Sequence, residues 1–335
     1  MAQLPSITII LLPIVYVYTA IGYELIECPK ASNETTKSIY FLYYYGPTVD
    51  NYTRVSYEHG LAISEEKSFN KTTSTVLYLP GWGENPSNHV ESVDTIAAAF
   101  IEKGVVNLIV ADYYELVKSN NILLDYVSSV GNISVIGEAL ACFLHKCIPD
   151  VQPLNLIQLV GHSLGAQIMS RTANKYGKGV LPRLTGLDPA GPLFNIPFNE
   201  MSLSKEDAKF VVVIHTDAYC YGAGGSLGHA DFFPNKGIRF QPYCDPDIAD
   251  FCSHHMSWRY YAVSILYETI FPAQNCEMDA FCLAFNMRQC CRQDAPIAYM
   301  GYGVSRTAVG NFYLKTSNEY PFGLGEQGFY NAQYE

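Results

Sequence analysis

Short continuous apolar runs alternate along this chain with longer stretches whose apolar residues recur at helical spacing. The strand-length runs are Ser38–Tyr45, Thr75–Leu79, Val105–Val110, Leu154–Val160, Leu184–Leu187 and Phe210–Ile214, and the helical stretches are Val90–Lys103, Val135–His145, Leu164–Tyr176 and Ser257–Ile270. A strand that is apolar at every position must be covered on both faces. The alternation therefore predicts an α/β fold with a mostly parallel central sheet flanked by helices. Lys30–Lys37 is polar and reads as a loop. The final third is richer in Gly, Cys and Tyr, and its strands cannot be placed from pattern alone. No repeat, low-complexity tract or linker interrupts the pattern, so 23–335 is expected to form a single domain.

The first 22 residues differ from the rest. Met1–Gly22 carries no charged side chain, and Ile7–Ile21 is almost wholly apolar. That stretch is short for a bilayer span, and Ala20-Ile21-Gly22 places small residues as a cleavage site requires. Residues 1–22 are expected to be a signal peptide, with a signal anchor as the alternative. Ten cysteines, an even number, fit an oxidising compartment, and Asn-X-Ser/Thr sequons begin at Asn33, Asn51, Asn70 and Asn132. The expectation is a secreted glycoprotein with no integral membrane span in the mature chain. A net charge of −11 repels phosphate backbones and anionic lipid. Nucleic acid is excluded as a partner on that ground, and any lipid contact must come from apolar burial.

Candidate chemistry centres on Gly161-His162-Ser163-Leu164-Gly165. This Gly-X-Ser-X-Gly follows a strand-like run and precedes a helical one, the context of a nucleophile elbow. Side chains larger than hydrogen at the flanking positions would collide with the neighbouring strand and helix. The sharp turn lifts the Ser163 hydroxyl out of the sheet and aims the next backbone N–H at a developing oxyanion. A serine hydroxyl needs a positioned base held by an acid, in this fold in the order nucleophile, acid, base. Asp188 closes the run Leu184–Leu187 at a strand's carboxyl end, with Asp217 and Asp231 as rivals. Four histidines follow it, His215, His229, His254 and His255, and chain order cannot separate the last two.

Further segments complete a pattern: Pro80-Gly81-Trp82, Gly161 to Gln167, Gly186-Leu-Asp-Pro-Ala-Gly-Pro192, His215-Thr-Asp217, Gly228 to Asn235, and Cys252-Ser-His254. In this order they resemble the pancreatic lipase family of α/β-hydrolases, especially its short secreted insect lipases and phospholipases A1. The resemblance implies Ser163 as nucleophile, Asp188 as acid and His254 as base. It implies an oxyanion hole from the backbone N–H groups of Trp82 and Leu164. Pro80 stands where the family usually has histidine, but the donors are main-chain groups.

The same resemblance pairs Cys244 with Cys252 as the lid disulfide, with seven residues between them, three of them acidic. So short a loop extends about 25 Å at most and cannot close over an active site. The segment from Asp217 to Gly228 is likewise short. An open cleft leaves room for a polar headgroup, so the expected activity is that of a phospholipase A1 acting on glycerolipids at membranes, micelles or lipid particles. The alternatives are a triacylglycerol lipase or galactolipase with a reduced lid, and a non-catalytic, yolk-like lipid-binding protein. With 81 residues after His254, no C-terminal β-sandwich is expected. Asn199, Ser202 and Ser204 stand where the family's calcium site usually has Glu, Arg and Asp, with only Asp207 keeping its type. No metal is expected there, and no cofactor is implied. Cys276, Cys282, Cys290 and Cys291 suggest bridges without fixing the pairing. Cys28 and Cys220 have no evident mates. Gly222–Gly228 reads as a loop at the rim.

Overall fold

In the strand Ser74–Leu79, Leu77 and Leu79 point to one side of the sheet and Val76 and Tyr78 to the other, and all are buried. A layer of helices must therefore cover each side, and the computed structural model has this arrangement. It describes residues 34–104, 106–118, 122–147, 153–196, 201–244, 251–276 and 294–330. The expected leader, Asn33, Asn199 and Cys28 lie outside the described residues.

The strands are β1 (Tyr40–Tyr44), β2 (Tyr52–Ser56), β3 (Ser74–Leu79), β4 (Val106–Asp112), β5 (Ile157–His162) and β6 (Leu184–Leu187). They continue with β7 (Val211–Ile214), β8 (Ala230–Pro234), β9 (Pro272–Asn275), β10 (Ile297–Tyr299) and β11 (Gly310–Leu314). Among the described residues all eleven join one sheet in the order β10-β9-β11-β8-β7-β6-β5-β3-β4-β1-β2. The stretch from β4 to β11 is parallel, while β2, β1, β9 and β10 pair antiparallel towards the two edges. This is the α/β-hydrolase architecture that the alternating pattern and the resemblance lead one to expect.

The helices are α1 (Glu34–Lys37), α2 (Glu91–Lys103), α3 (Tyr114–Val117), α4 (Ile122–Cys147), α5 (Leu164–Gly177) and α6 (Cys252–Leu266). Phe41, Tyr43, Leu77, Ile109 and Leu159 pack with α4 and α5, while Leu42, Val76, Leu108, Val110 and Val160 pack with α2 and α6. Each fully buried side chain of this size contributes about 1.5–3 kcal/mol relative to an exposed one. Helix α2 stops where expected, because Gly104 adopts φ 70° and returns its N–H to Phe100 O. Helix α4 contains a stretch, Leu124–Lys146, long and apolar enough to cross a membrane, but 61% of its most apolar window is buried in the core.

Several boundaries differ from the sequence expectation. Glu34–Lys37 forms a helical turn where a loop is predicted. Strand β2 goes unpredicted because Tyr52-Thr-Arg-Val-Ser is a half-buried edge strand with no apolar run. Helix α4 begins 13 residues before the predicted Val135. Helix α6 starts at Cys252 and ends at Leu266, a turn earlier than Ser257–Ile270, since Cys, Ser and His are weak helix formers that give no start signal. Of the sequons, Asn70 is exposed and its Oδ1 accepts the Thr72 N–H at 2.9 Å. Asn132 lies inside α4 with Nδ2 donating to Leu116 O at 3.0 Å.

Candidate active site

Strand β5 turns directly into α5 at Ser163, which holds φ 52° and ψ −122°, a costly conformation for a non-glycine residue. The turn is fixed by its backbone: Ser163 N–H donates to Leu187 O at 3.0 Å, and Ser163 O accepts from Ala166 N–H and Ala190 N–H, each at 3.1 Å. Both flanking glycines are sterically required. A Cβ on Gly161 would lie 2.5 Å from Gly165 O, and one on Gly165 would overlap Pro80 O and lie 2.5 Å from Leu79 O. The second contact seats the start of α5 against the end of β3, bringing two parts of the site together.

Asp188 follows the end of β6, is fully buried and holds φ 41°. Its Oδ1 accepts the N–H groups of Thr216 at 2.8 Å and Asp217 at 3.1 Å. Its Oδ2 lies 2.6 Å from Nδ1 of His254, which projects from the first turn of α6. An acceptor on that side assigns the proton to Nδ1 and leaves Nε2 as a free base. His254 is enclosed by the rings of His162 at 4.8 Å, Tyr221 at 5.9 Å and Phe251 at 6.4 Å. Ser163 is only half-buried, and its Oγ forms no hydrogen bond with another described residue.

The rival residues have other partners. Asp217 is bound by Arg239, with Nε at 2.9 Å and Nη2 at 2.8 Å. Asp231 pairs with His215 Nε2 at 2.8 Å and accepts the N–H groups of Leu227 and Gly228, each at 2.9 Å. His229 Nδ1 accepts the Val211 N–H at 3.0 Å. Asp188, Asp217 and His254 lie close enough to suggest a cation site. The carboxylate oxygens are already engaged by Arg239, by three backbone N–H groups and by His254 Nδ1, so the donor set does not fit one. Asp207 accepts the Ser204 N–H at 2.9 Å and the Asn174 amide at 2.8 Å, capping a short turn.

Neither Trp82 N–H nor Leu164 N–H donates to a group among the described residues. Leu164 is the first residue of α5, where N–H groups have no partner within the helix. The Trp82 indole is anchored by Nε1 donating to Ser129 Oγ at 2.9 Å and by the Tyr126 ring edge-on at 5.4 Å. Pro80 contributes its carbonyl, which accepts the Tyr113 hydroxyl. Cys244 and Cys252 are bonded as expected, with Cα atoms 5.7 Å apart, although 245–250 lie outside the described residues. Cys142 and Cys276 are also in disulfides, and Cys220 is a free, exposed thiol. Phe251, at the end of the loop, stacks on Tyr221 at 4.3 Å.

Three groups beside the site carry no sequence signal for their role. The Glu84 carboxylate accepts the Gly81 N–H and, at 2.7 Å, the Ser92 hydroxyl. Burial alone would raise its pKa, but these donors and the adjacent His162 ring hold it well below the usual carboxylate range. Burial lowers the His162 pKa. His255 faces the His162 ring at 5.6 Å and stacks on Phe251 at 6.0 Å. Burial, then the proximity of His162, lowers its pKa to about 3. In the unfolded chain His255 returns to its ordinary value of 6.5 and binds protons that the folded form refuses. Stability therefore declines as pH falls below that value, by about 2 kcal/mol at pH 5 from this residue. Thermal melting of the wild type and of His255→Phe between pH 7 and 5 checks this; the variant should lose less stability over that range.

Residues 23–322 match the protein family described as Lipase. Over 229 residues the chain is 31% identical to pancreatic lipase-related protein 3 of Homo sapiens, covering 59% of this chain and 48% of that protein. Over 240 residues it is 32% identical to lipase member H-A of Xenopus laevis, covering 69% of this chain and 49% of that protein. The chain thus spans about half the length of these curated relatives. Among solved structures, an alpha-beta serine hydrolase homologue from Coxiella burnetii aligns at 17% identity, covering 46% of this chain and 67% of that one, with a TM-score of 0.30.

Proposed function

The chain belongs to the lipase family, and from that premise we propose that it is a secreted serine carboxylester hydrolase of glycerolipids, a phospholipase A1. The observation that carries the reading is the buried Asp188–His254 pair at 2.6 Å, at the same end of the sheet as the strained turn bearing Ser163. In the proposed reaction Ser163 Oγ attacks the acyl carbonyl carbon and its proton passes to His254 Nε2. Asp188 holds the ring tautomer, and the Trp82 and Leu164 N–H groups receive the oxyanion. His254 then gives its proton to the departing glyceryl oxygen, leaving the acyl group on Ser163. Water, deprotonated by His254, attacks this ester, releases the fatty acid and returns the serine hydroxyl.

Support for a phospholipid over a triglyceride comes from access to the site. The loop closed by Cys244–Cys252 spans a sequence separation of only 8, and the rim beside it mixes apolar and polar groups. Phe251 and Phe240 are 44% and 56% exposed there, while Arg239 sits behind them, bound to Asp217. Disulfides at Cys142, Cys244, Cys252 and Cys276 support export. The test is hydrolysis of a phosphatidylcholine whose two acyl chains differ in mass. Release of the sn-1 chain is expected. Hydrolysis of triolein with none of phosphatidylcholine would replace this reading with a reduced-lid triacylglycerol lipase, and inactivity on every ester would favour a lipid-binding protein.

A further inference from the structure

Glu84 closes a tight turn from both ends. Its own N–H donates to Gly81 O at 3.4 Å, while its carboxylate reaches back to accept the Gly81 N–H. The same carboxylate accepts the Ser92 hydroxyl at 2.7 Å, in the first turn of α2, and lies 3.7 Å from Nδ1 of His162. Three pieces of the site meet on this one side chain: the loop after β3, the start of α2, and the nucleophile turn. The fit leaves no spare room. A Cβ on Gly81 would lie 2.9 Å from His162 Nδ1 and 3.2 Å from Glu84 Oε2.

The consequence follows from the planarity of the peptide bond. Gly81 C=O and Trp82 N–H belong to the same trans peptide unit, so they point in opposite directions across one rigid plane. Holding Gly81 O towards the Glu84 backbone turns Trp82 N–H away from Glu84. The carboxylate also takes the Gly81 N–H out of play, while the Trp82 N–H has no acceptor among the described residues. We infer that Glu84 is a positioning residue for the oxyanion hole, fixing the plane of the Gly81–Trp82 peptide so that its N–H meets the developing oxyanion. The inference rests on the serine-hydrolase reading above. Glu84 touches no substrate. It acts through the peptide unit.

The test compares hydrolysis of a soluble nitrophenyl ester with that of its thiono analogue, whose sulfur accepts hydrogen bonds poorly. Full-length protein is used throughout. In Glu84→Ala, kcat on the oxygen ester should fall about 10- to 100-fold with KM within about twofold. The oxygen-to-sulfur rate ratio should collapse with it, because the sulfur ester depends less on the hole. Glu84→Gln retains an acceptor for Gly81 N–H and should restore both kcat and the ratio to within about threefold. Ser92→Ala removes a partner of Glu84 without touching Gly81, so it should cost stability and leave the ratio unchanged. If Glu84→Ala does not fold, Glu84→Asp carries the test, since the shorter arm cannot span Gly81 and Ser92 and should lower the ratio while remaining folded. An unchanged ratio in Glu84→Ala, or in Glu84→Asp where the alanine variant does not fold, overturns the inference, as does failure of Glu84→Gln to rescue. Labelling of Ser163 by a fluorophosphonate keeps the two readings apart. No labelling in wild type defeats the serine-hydrolase reading itself, whereas labelling with an unchanged ratio defeats only the role of Glu84.

Discussion

Replacing Ser163 with alanine is expected to lower ester turnover by about 10⁴-fold or more while leaving the melting temperature nearly unchanged. The second half of that expectation comes from the geometry. The hydroxyl has no hydrogen-bond partner among the described residues and sits on a half-buried side chain, so its removal leaves no buried group unsatisfied. The backbone turn is held by Leu187 O, Ala166 N–H and Ala190 N–H, none of which involves the side chain. His254→Ala should cost a similar factor, and the double variant should be little worse than either single one, since nucleophile and base act as one unit. Turnover of a soluble ester together with fluorophosphonate labelling checks the set. Labelling that persists in Ser163→Ala, or turnover above about 1% of the parent, would assign the nucleophile elsewhere.

How much of this was legible in advance varies with the kind of signal. The buried strands β3, β5, β6 and β7 stand out because parallel strands covered on both faces are unbroken apolar runs. The turn at Ser163 stands out because steric exclusion at Gly161 and Gly165 leaves a fixed spacing in the sequence. The choice of base was not legible from pattern. His254 and His255 are neighbours on a helix, about 100° apart around its axis, and only the fold determines which ring reaches Asp188. The strands β8 to β11 were hidden because each is short and flanked by turn residues. Glu84 was hidden for a different reason: an acid in Gly-Glu-Asn-Pro reads as an ordinary solvated turn. A carboxylate three residues beyond Gly81 is the only local hint, and its neighbours, Ser92 and His162, come from separate elements.

The geometry around Asp188 also dictates what a nearly isosteric change would do. In Asp188→Asn the side chain must place one oxygen and one NH₂ among partners that are not equivalent. The Thr216 and Asp217 N–H groups converge on Oδ1 at 2.8 and 3.1 Å, and both are donors in the rigid backbone after β7. An NH₂ facing them would set donors against donors in a fully buried site, leaving groups unsatisfied at about 1–3 kcal/mol each. The amide oxygen therefore takes the Oδ1 position and the NH₂ turns to His254. The imidazole must then accept at Nδ1 and carry its proton on Nε2, where the Ser163 proton would have to go. Turnover should drop by about 10⁴-fold although hardly an atom has moved, as a wrong tautomer does in serine-protease triads. The residual rate should climb with pH, because hydroxide can take over as base. Asp188→Ala separates this from simple loss of charge, since it frees the ring to choose its tautomer but orphans the Thr216 and Asp217 N–H groups. It should lose stability that Asp188→Asn retains. A full pH–rate profile with parallel melting curves on the two variants checks both halves, and an Asp188→Asn variant with near-parental turnover at neutral pH would show that this carboxylate does not hold the base.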